Sequence, residues 1–168
     1  MMRWVPLFVS FFAASAATAQ EQDYNIDPEA AHCLALNIYH EARGESLEGM
    51  IAVASVTLNR VASKRFPNTV CGVVFQGEHS EWWAREHGKR VPIKNRCQFS
   101  WYCDGRSDEI KNPDAWDMSV LISRSMLAGT LKGNTGGATH YYNPTKVNPW
   151  WSDSYIQTVM VDNHVFLR

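Results

Sequence analysis

The stretch Asp27-Pro28-Glu29-Ala30-Ala31-His32-Cys33-Leu34-Ala35-Leu36-Asn37-Ile38-Tyr39-His40-Glu41-Ala42-Arg43-Gly44 decides the fold. Asp27 offers an acceptor side chain and Pro28 a preset φ at the first helical position, together a good helix start. From there Ala31, Leu34 and Ile38 recur at helical spacing until Gly44 stops the run. With Leu34 at zero and about 100° per residue, Ala31 falls near 60°, Ile38 near 40° and Glu41 near −20°. A carboxylate therefore stands in the middle of the apolar face, at the C-terminal end of the helix. Burial disfavours the charged form of a carboxyl group and raises its pKa. The negative end of the helix dipole pushes the same way. An acid that keeps its proton near neutral pH suits general acid catalysis. The plainer reading is that Glu41 pairs with Arg43 or Arg60 and pins a helix end, since structural ion pairs perturb carboxylates too.

Working outward, Ser46 is placed to cap a second helix over residues 47–63, with Met50, Val53, Ala54, Thr57, Leu58 and Val61 on its buried side. Ile51 and Val56 widen that stripe, which puts this helix near the centre of the core. Phe66-Pro67-Asn68 breaks the chain, and Val70 to Phe75 fits a short helix or a strand. Residues 77–96 are charged and interrupted by Gly and Pro, as expected of a long surface loop or a small subelement. Asn112-Pro113-Asp114 opens another helix carrying Trp116, Val120, Ile122, Met126 and Leu127, which Gly129 ends. Gly133, Gly136 and Gly137 mark a flexible connection. Residues 155–161 and 164–167, around Asp162-Asn163, predict a β-hairpin. The sum is an α+β domain, mainly helical, with a small C-terminal antiparallel hairpin or sheet.

The 168 residues suit one domain, and 20% charged with 45% hydrophobic residues excludes a disordered chain. A formal charge of −1 leaves no basic footprint for nucleic acid. Arg3 precedes an apolar run from Trp4 to Ala17, followed by Ala17-Thr18-Ala19, the pattern of a signal-peptidase site. Residues 1–19 are accordingly expected to be a signal peptide and 20–168 the mature domain. The run is shorter than the ~20 residues of a membrane span, so none is expected after cleavage. Outside the cytosol, Cys33, Cys71, Cys97 and Cys103 suit two disulfides. Three pairings are open to four cysteines. The short loop between Cys97 and Cys103 favours joining those two, leaving Cys33 for Cys71.

Five blocks in order resemble the SleB/CwlJ cell wall hydrolases. They run from Ala35 to Glu45, with Glu41-Ala42-Arg43-Gly44-Glu45 inside, and from Ala52 to Arg60. They continue from Phe66 to Gln76, from Cys97 to Gly105, and from Asn163 to Phe166. The resemblance implies a domain similar to lysozyme and lytic transglycosylase folds that cuts peptidoglycan glycan strands, with Glu41 as its catalytic glutamate. It implies cleavage between N-acetylmuramic acid and N-acetylglucosamine without hydrolytic water. Glu41 would protonate the leaving oxygen and then, as a carboxylate, take the proton of the muramic acid C6 hydroxyl as it attacks C1. One carboxyl group suffices because the nucleophile is already in the substrate. A hydrolytic glycosidase uses two, about 5–9.5 Å apart, and Glu45 or Asp104 could be the second. Spore-cortex members also carry a peptidoglycan-binding repeat, for which this chain has no room, so the domain is expected to bind glycan through its own groove.

Gln98-Phe99-Ser100-Trp101, clamped between two cysteines, offers an amide, a hydroxyl and aromatic faces to sugars. The bland reading is a stapled turn whose aromatics face the core. The doublets Trp82-Trp83, Tyr141-Tyr142 and Trp150-Trp151 are each expected in the core, with Tyr142-Asn143 the exception assigned to substrate binding. His40-Glu41 fails the H-E-x-x-H pattern because Gly44 stands where the second histidine belongs. No metal or cofactor is expected, and the enzyme is expected to be an exported, wall-associated monomer, periplasmic or extracellular. Three rivals remain. One is a zinc-dependent N-acetylmuramoyl-L-alanine amidase using Glu41, His140 and His164. Another is a Cys33 nucleophile with His140 or His164 as base. The third is a domain that binds peptidoglycan without cutting it.

Overall fold

The computed structural model describes residues 25–168. Asp27 caps helix α1 (Pro28–Ala42) by accepting the Glu29 N–H at 2.9 Å. Ser46 caps α2 (Leu47–Ala62) through the Gly49 N–H at 3.2 Å. The ambiguous segment after Asn68 is helical: Thr69 caps the short α3 (Val70–Val74). Asn112 caps α5 (Pro113–Leu127), and Gly129, at φ 72°, lies just beyond its end.

α2 is the central helix. One face joins Met50, Val53 and Ala54 to Leu34, Ile38 and Ala42 of α1, to Val70, Val73 and Val74 of α3, and to Ile122 and Met126 of α5. Its other face carries Ala52 and Val56 against Ala138 and Phe166. The first cluster also holds a buried polar chain. Trp101 Nε1 donates to Asn37 Oδ1 at 3.0 Å, and Asn37 Nδ2 donates to Thr57 Oγ1 at 3.0 Å. Ser123 Oγ donates to Ala31 O at 2.7 Å, so α5 meets α1 through a buried serine as well as through apolar groups.

The region after α3 is a small subelement rather than a loop: β1 (Gly77–His79), α4 (Glu81–His87) and β2 (Pro92–Cys97), with the two strands antiparallel. The expected hairpin forms as β4 (Gln157–Val161) and β5 (His164–Leu167). A third strand, β3 (His140–Tyr142), pairs with the other edge of β5, giving the order β3-β5-β4. Asp162, in the hairpin turn, accepts both the backbone N–H and the hydroxyl of Ser46, at 3.1 and 2.8 Å. A Cβ at Gly49 would collide with that Asp162 carboxylate, so only glycine lets the turn seat on the start of α2.

Cys33 is bonded to Cys71 and Cys97 to Cys103. The first bridge ties α3 to α1, and the second closes the loop that follows β2. Two of the aromatic doublets depart from the expected core placement. Trp82 and Trp83 are 52% and 38% exposed, and Trp150 is 89% exposed. Among the described residues no helix is long and apolar enough to cross a membrane. The expected signal peptide lies outside the described residues.

Candidate active site

Three elements converge on one cleft of about 430 Å³. The end of α1 supplies Glu41, the end of α2 supplies Arg60, and β3 supplies His140 and Tyr141. The disulfide-closed loop adds Gln98, Phe99 and Ser100, and the segment before β4 adds Trp151 and Tyr155. Glu41 is half-buried because its position on the apolar face of α1 turns it inward beside Ala42.

Burial raises the Glu41 carboxyl above the usual carboxylate value. The Tyr141 hydroxyl, which donates to Glu41 Oε2 at 3.0 Å, and the positive charge of Arg60 oppose that rise without cancelling it. The same burial and the adjacent carboxylate push the Tyr141 phenol well above its ordinary value, so it stays a donor. Arg60 is buried to 4% exposure. Its Nε donates to Thr139 O at 2.7 Å, and its guanidinium stands 5.0 Å from the Phe99 ring centre and 5.3 Å from that of Phe66. Burial, with help from Arg60 and Arg65, lowers His140 to about 4, so its ring is neutral at pH 7. That ring packs 4.1 Å from the ring centre of Tyr155 and 5.5 Å from that of Trp151.

The site thus combines a carboxylic acid of raised pKa, a hydroxyl donor fixed upon it and an aromatic wall. A larger depression of about 540 Å³, lined by Phe75, Gln76, Arg90 and Tyr102 among others, holds no carboxylate. The smaller cleft is the one that holds an acid.

Of the residues expected at the site, Glu41, Gln98, Phe99 and Ser100 are brought together. Trp101 is not: it is buried, bonded to Asn37 and stacked on His40 with ring centres 4.4 Å apart. In the short helical turn Ser100–Cys103, Ser100 faces the cleft and Trp101 faces the core. Tyr142 and Asn143 do not line the cleft either. Asn143 is buried, and its Oδ1 accepts the N–H and hydroxyl of Thr145, organising the turn after β3. The tyrosine that reaches Glu41 is the preceding one. Neither candidate second carboxylate lies in the cleft. Glu45 stands 3.9 Å from His164 Nδ1, and Asp104 accepts the Arg106 N–H at 2.8 Å.

The rival constellations separate in the same way. His140 lies in the cleft while His164 lies beside Glu45, and no three His, Cys, Asp or Glu residues among those described gather to hold a metal. Cys33 is in a disulfide and offers no thiolate. Arg43, the other expected partner of Glu41, turns back to the helix end, where Nη1 donates to His40 O at 3.3 Å. Tyr141, Trp151 and Tyr155 were not singled out as cleft residues by sequence reasoning. For the first two the only signals were the aromatic doublets, and a doublet does not say which member faces inward; Tyr155 carried no signal.

The chain is similar to known proteins along most of its length. A family profile described as Cell Wall Hydrolase matches residues 44–167, beginning three residues after Glu41. A spore cortex-lytic enzyme of Halalkalibacterium halodurans is 32% identical over 135 residues, covering 79% of this chain and 33% of that protein. One from Bacillus cereus is 29% identical over 133 residues, covering 78% of this chain and 41% of that protein. The chain therefore spans well under half the length of these curated relatives. Among solved structures, the catalytic domain of the germination-specific lytic transglycosylase SleB from Bacillus anthracis superposes with a TM-score of 0.61 at 29% identity. That match covers 86% of this chain and 98% of that domain. The catalytic domain of the Bacillus cereus SleB protein gives 0.57 at 28% identity, covering 86% and 94%. With the profile matching most of its length and the α+β architecture shared with both solved domains, the chain belongs to the cell wall hydrolase family.

Proposed function

We propose that this protein cuts the glycan strands of peptidoglycan between N-acetylmuramic acid and N-acetylglucosamine as a lytic transglycosylase. The reading is carried by Glu41, a half-buried acid of raised pKa, hydrogen-bonded to Tyr141 and open to a cleft walled by Phe99, Trp151 and Tyr155. The fold it shares with a domain described as a lytic transglycosylase supports it.

In the first step the Glu41 proton passes to the glycosidic oxygen as the bond from C1 of muramic acid to that oxygen breaks. The N-acetylglucosamine side leaves as an alcohol, and positive charge develops at C1. The Glu41 carboxylate then takes the proton of the C6 hydroxyl of the same sugar while that oxygen bonds to C1, closing a 1,6-anhydro ring and restoring the acid. Tyr141 and Arg60 favour the carboxylate that exists between the steps, whereas burial favours the acid that exists at either end. No other carboxylate lines the cleft, so an internal nucleophile fits the site better than water activated by a second acid.

Mass spectrometry of purified sacculi digested with the protein tests this. Non-reducible 1,6-anhydromuropeptides are expected. Reducing muramic acid ends would replace transglycosylation by hydrolysis, and free stem peptides with uncut glycan would overturn the glycosidic reading. Export to a periplasmic or extracellular, wall-associated location belongs to the same proposal, since the substrate lies there.

A further inference from the structure

The β1–α4–β2 arm presents chemistry that the cleft does not use. Every residue of α4 is exposed, so the helix has no face packed on the core. Its two tryptophans nevertheless hold a fixed arrangement. Trp82 and Trp83 meet edge to face with ring centres 5.0 Å apart, and His87 packs 5.3 Å from the first and 4.5 Å from the second. Residues 77–97 hold five Lys and Arg against three Asp and Glu, in a chain whose formal charge is −1. Arg85 pairs with Glu81 and Arg96 with Glu78. Lys89, Arg90 and Lys94 have no ion-pair partner among the described residues.

Exposed clustered tryptophans are costly to leave in water and mark interaction sites. The faces of indole rings suit the C–H faces of pyranose sugars, and unpaired cations suit carboxylates. A membrane is a poorer fit. Interfacial helices need a continuous apolar face, and in the seven-residue α4 the tryptophans are followed by Arg85, Glu86 and His87.

We infer that the α4 arm is a second binding surface for peptidoglycan, taking an N-acetylated glycan strand through Trp82 and Trp83 and its stem-peptide carboxylates through Lys89 and Lys94. The occupant rests on the proposed substrate; the surface itself does not depend on catalysis. Such a surface holds the enzyme on the insoluble polymer while the cleft works on one strand.

The test is co-sedimentation of the full chain with purified sacculi, in a Glu41→Gln background so that the polymer stays intact. Trp82→Ala/Trp83→Ala is expected to weaken binding about tenfold, the worth of two stacking rings. Lys89→Gln/Lys94→Gln is expected to weaken it and to flatten its salt dependence. With Glu41 restored, both double variants should cut short, soluble glycan fragments at the wild-type rate, which also shows that they fold. Unchanged sedimentation of both double variants would overturn the inference. So would loss of binding to anionic phospholipid vesicles with sacculus binding intact, which would reassign the surface to a lipid. A wild-type chain that sediments through the arm yet cuts no glycan would overturn the proposed function and leave this inference standing.

Discussion

The Tyr141 hydroxyl stands 3.0 Å from Glu41 Oε2 and donates to it, across 100 positions of sequence. This bond joins the sheet to the first helix at the point of proposed chemistry. It also sets the balance between the two protonation states of the acid.

Removing the phenol tests that balance. Tyr141→Phe takes away a contact that favours the carboxylate, so the Glu41 pKa moves further up. The first step needs the acid form, and kcat/KM falls as pH rises through the Glu41 pKa. The variant's fall is therefore expected at higher pH than in the wild type. Arg60→Met, which removes the other group favouring the carboxylate, moves the limb in the same direction. A limb that stays in place or moves down contradicts the assignment.

Glu41→Gln should lose on the order of 10²–10⁴ in rate while folding normally. Its stability should respond to pH in a defined way. Because the folded-state pKa is raised above 4.5, the native protein binds more protons than the unfolded chain in the window just above that value. Stability therefore falls as pH rises through the window, and the glutamine variant escapes that fall. Thermal melts should show the variant gaining on the wild type at pH 8 and matching it well below pH 4.5.

His140 behaves in the opposite sense. Its folded value of about 4 lies below the usual 6.5, so the native state resists protonation. Stability from the neutral ring is present above pH 6.5 and is lost as pH falls towards 4. Denaturant titrations of His140→Gln across that range should show a shallower acid loss than the wild type.

The two disulfides should separate in their effects. In the loop-entropy picture, removing Cys33–Cys71, with a separation of 38, costs about 4 kcal/mol, and removing Cys97–Cys103, with a separation of 6, costs about 2 kcal/mol. The second bridge closes the loop that carries Gln98, Phe99 and Ser100. Paired Cys97→Ala/Cys103→Ala should therefore lower activity more than stability, and paired Cys33→Ala/Cys71→Ala the reverse. Melting curves and sacculus turnover measured together check this.

Asn37→Leu should destabilise by about 1–3 kcal/mol, because the buried Trp101 indole N–H is left without an acceptor. The loss should appear in denaturant midpoint and leave the pH profile of turnover where it was.

What could be read from the chain alone follows from the range of each interaction. Caps and apolar periodicity are local, so Asp27, Ser46 and Asn112 marked their helices correctly, and the inward turn of Glu41 could be read from phase within one helix. The strand β3 is three residues long and exists only through pairing with β5, more than twenty positions on, so no local pattern announced it. Choosing Tyr142 over Tyr141 is the same failure at one-residue scale, since strand phase cannot be set before the strand is known. Trp101 was assigned to the site with its neighbours because a tight turn alternates inward and outward faces without a sequence period. Asn37 in the middle of an apolar face carried no signal until Thr57 and Trp101, far along the chain, closed around it.

The central position of β5 makes one strand the support of the whole sheet. β3 hydrogen-bonds only to β5 within the sheet, and β5 is the last strand in sequence. Without residues 164–167, β3 loses its partner in the sheet, and with it the pairing that places Tyr141 beside Glu41. The geometry proposed for catalysis is thus held by the seating of one short strand, so loosening β5 would loosen the acid's partner before it reached the helical core.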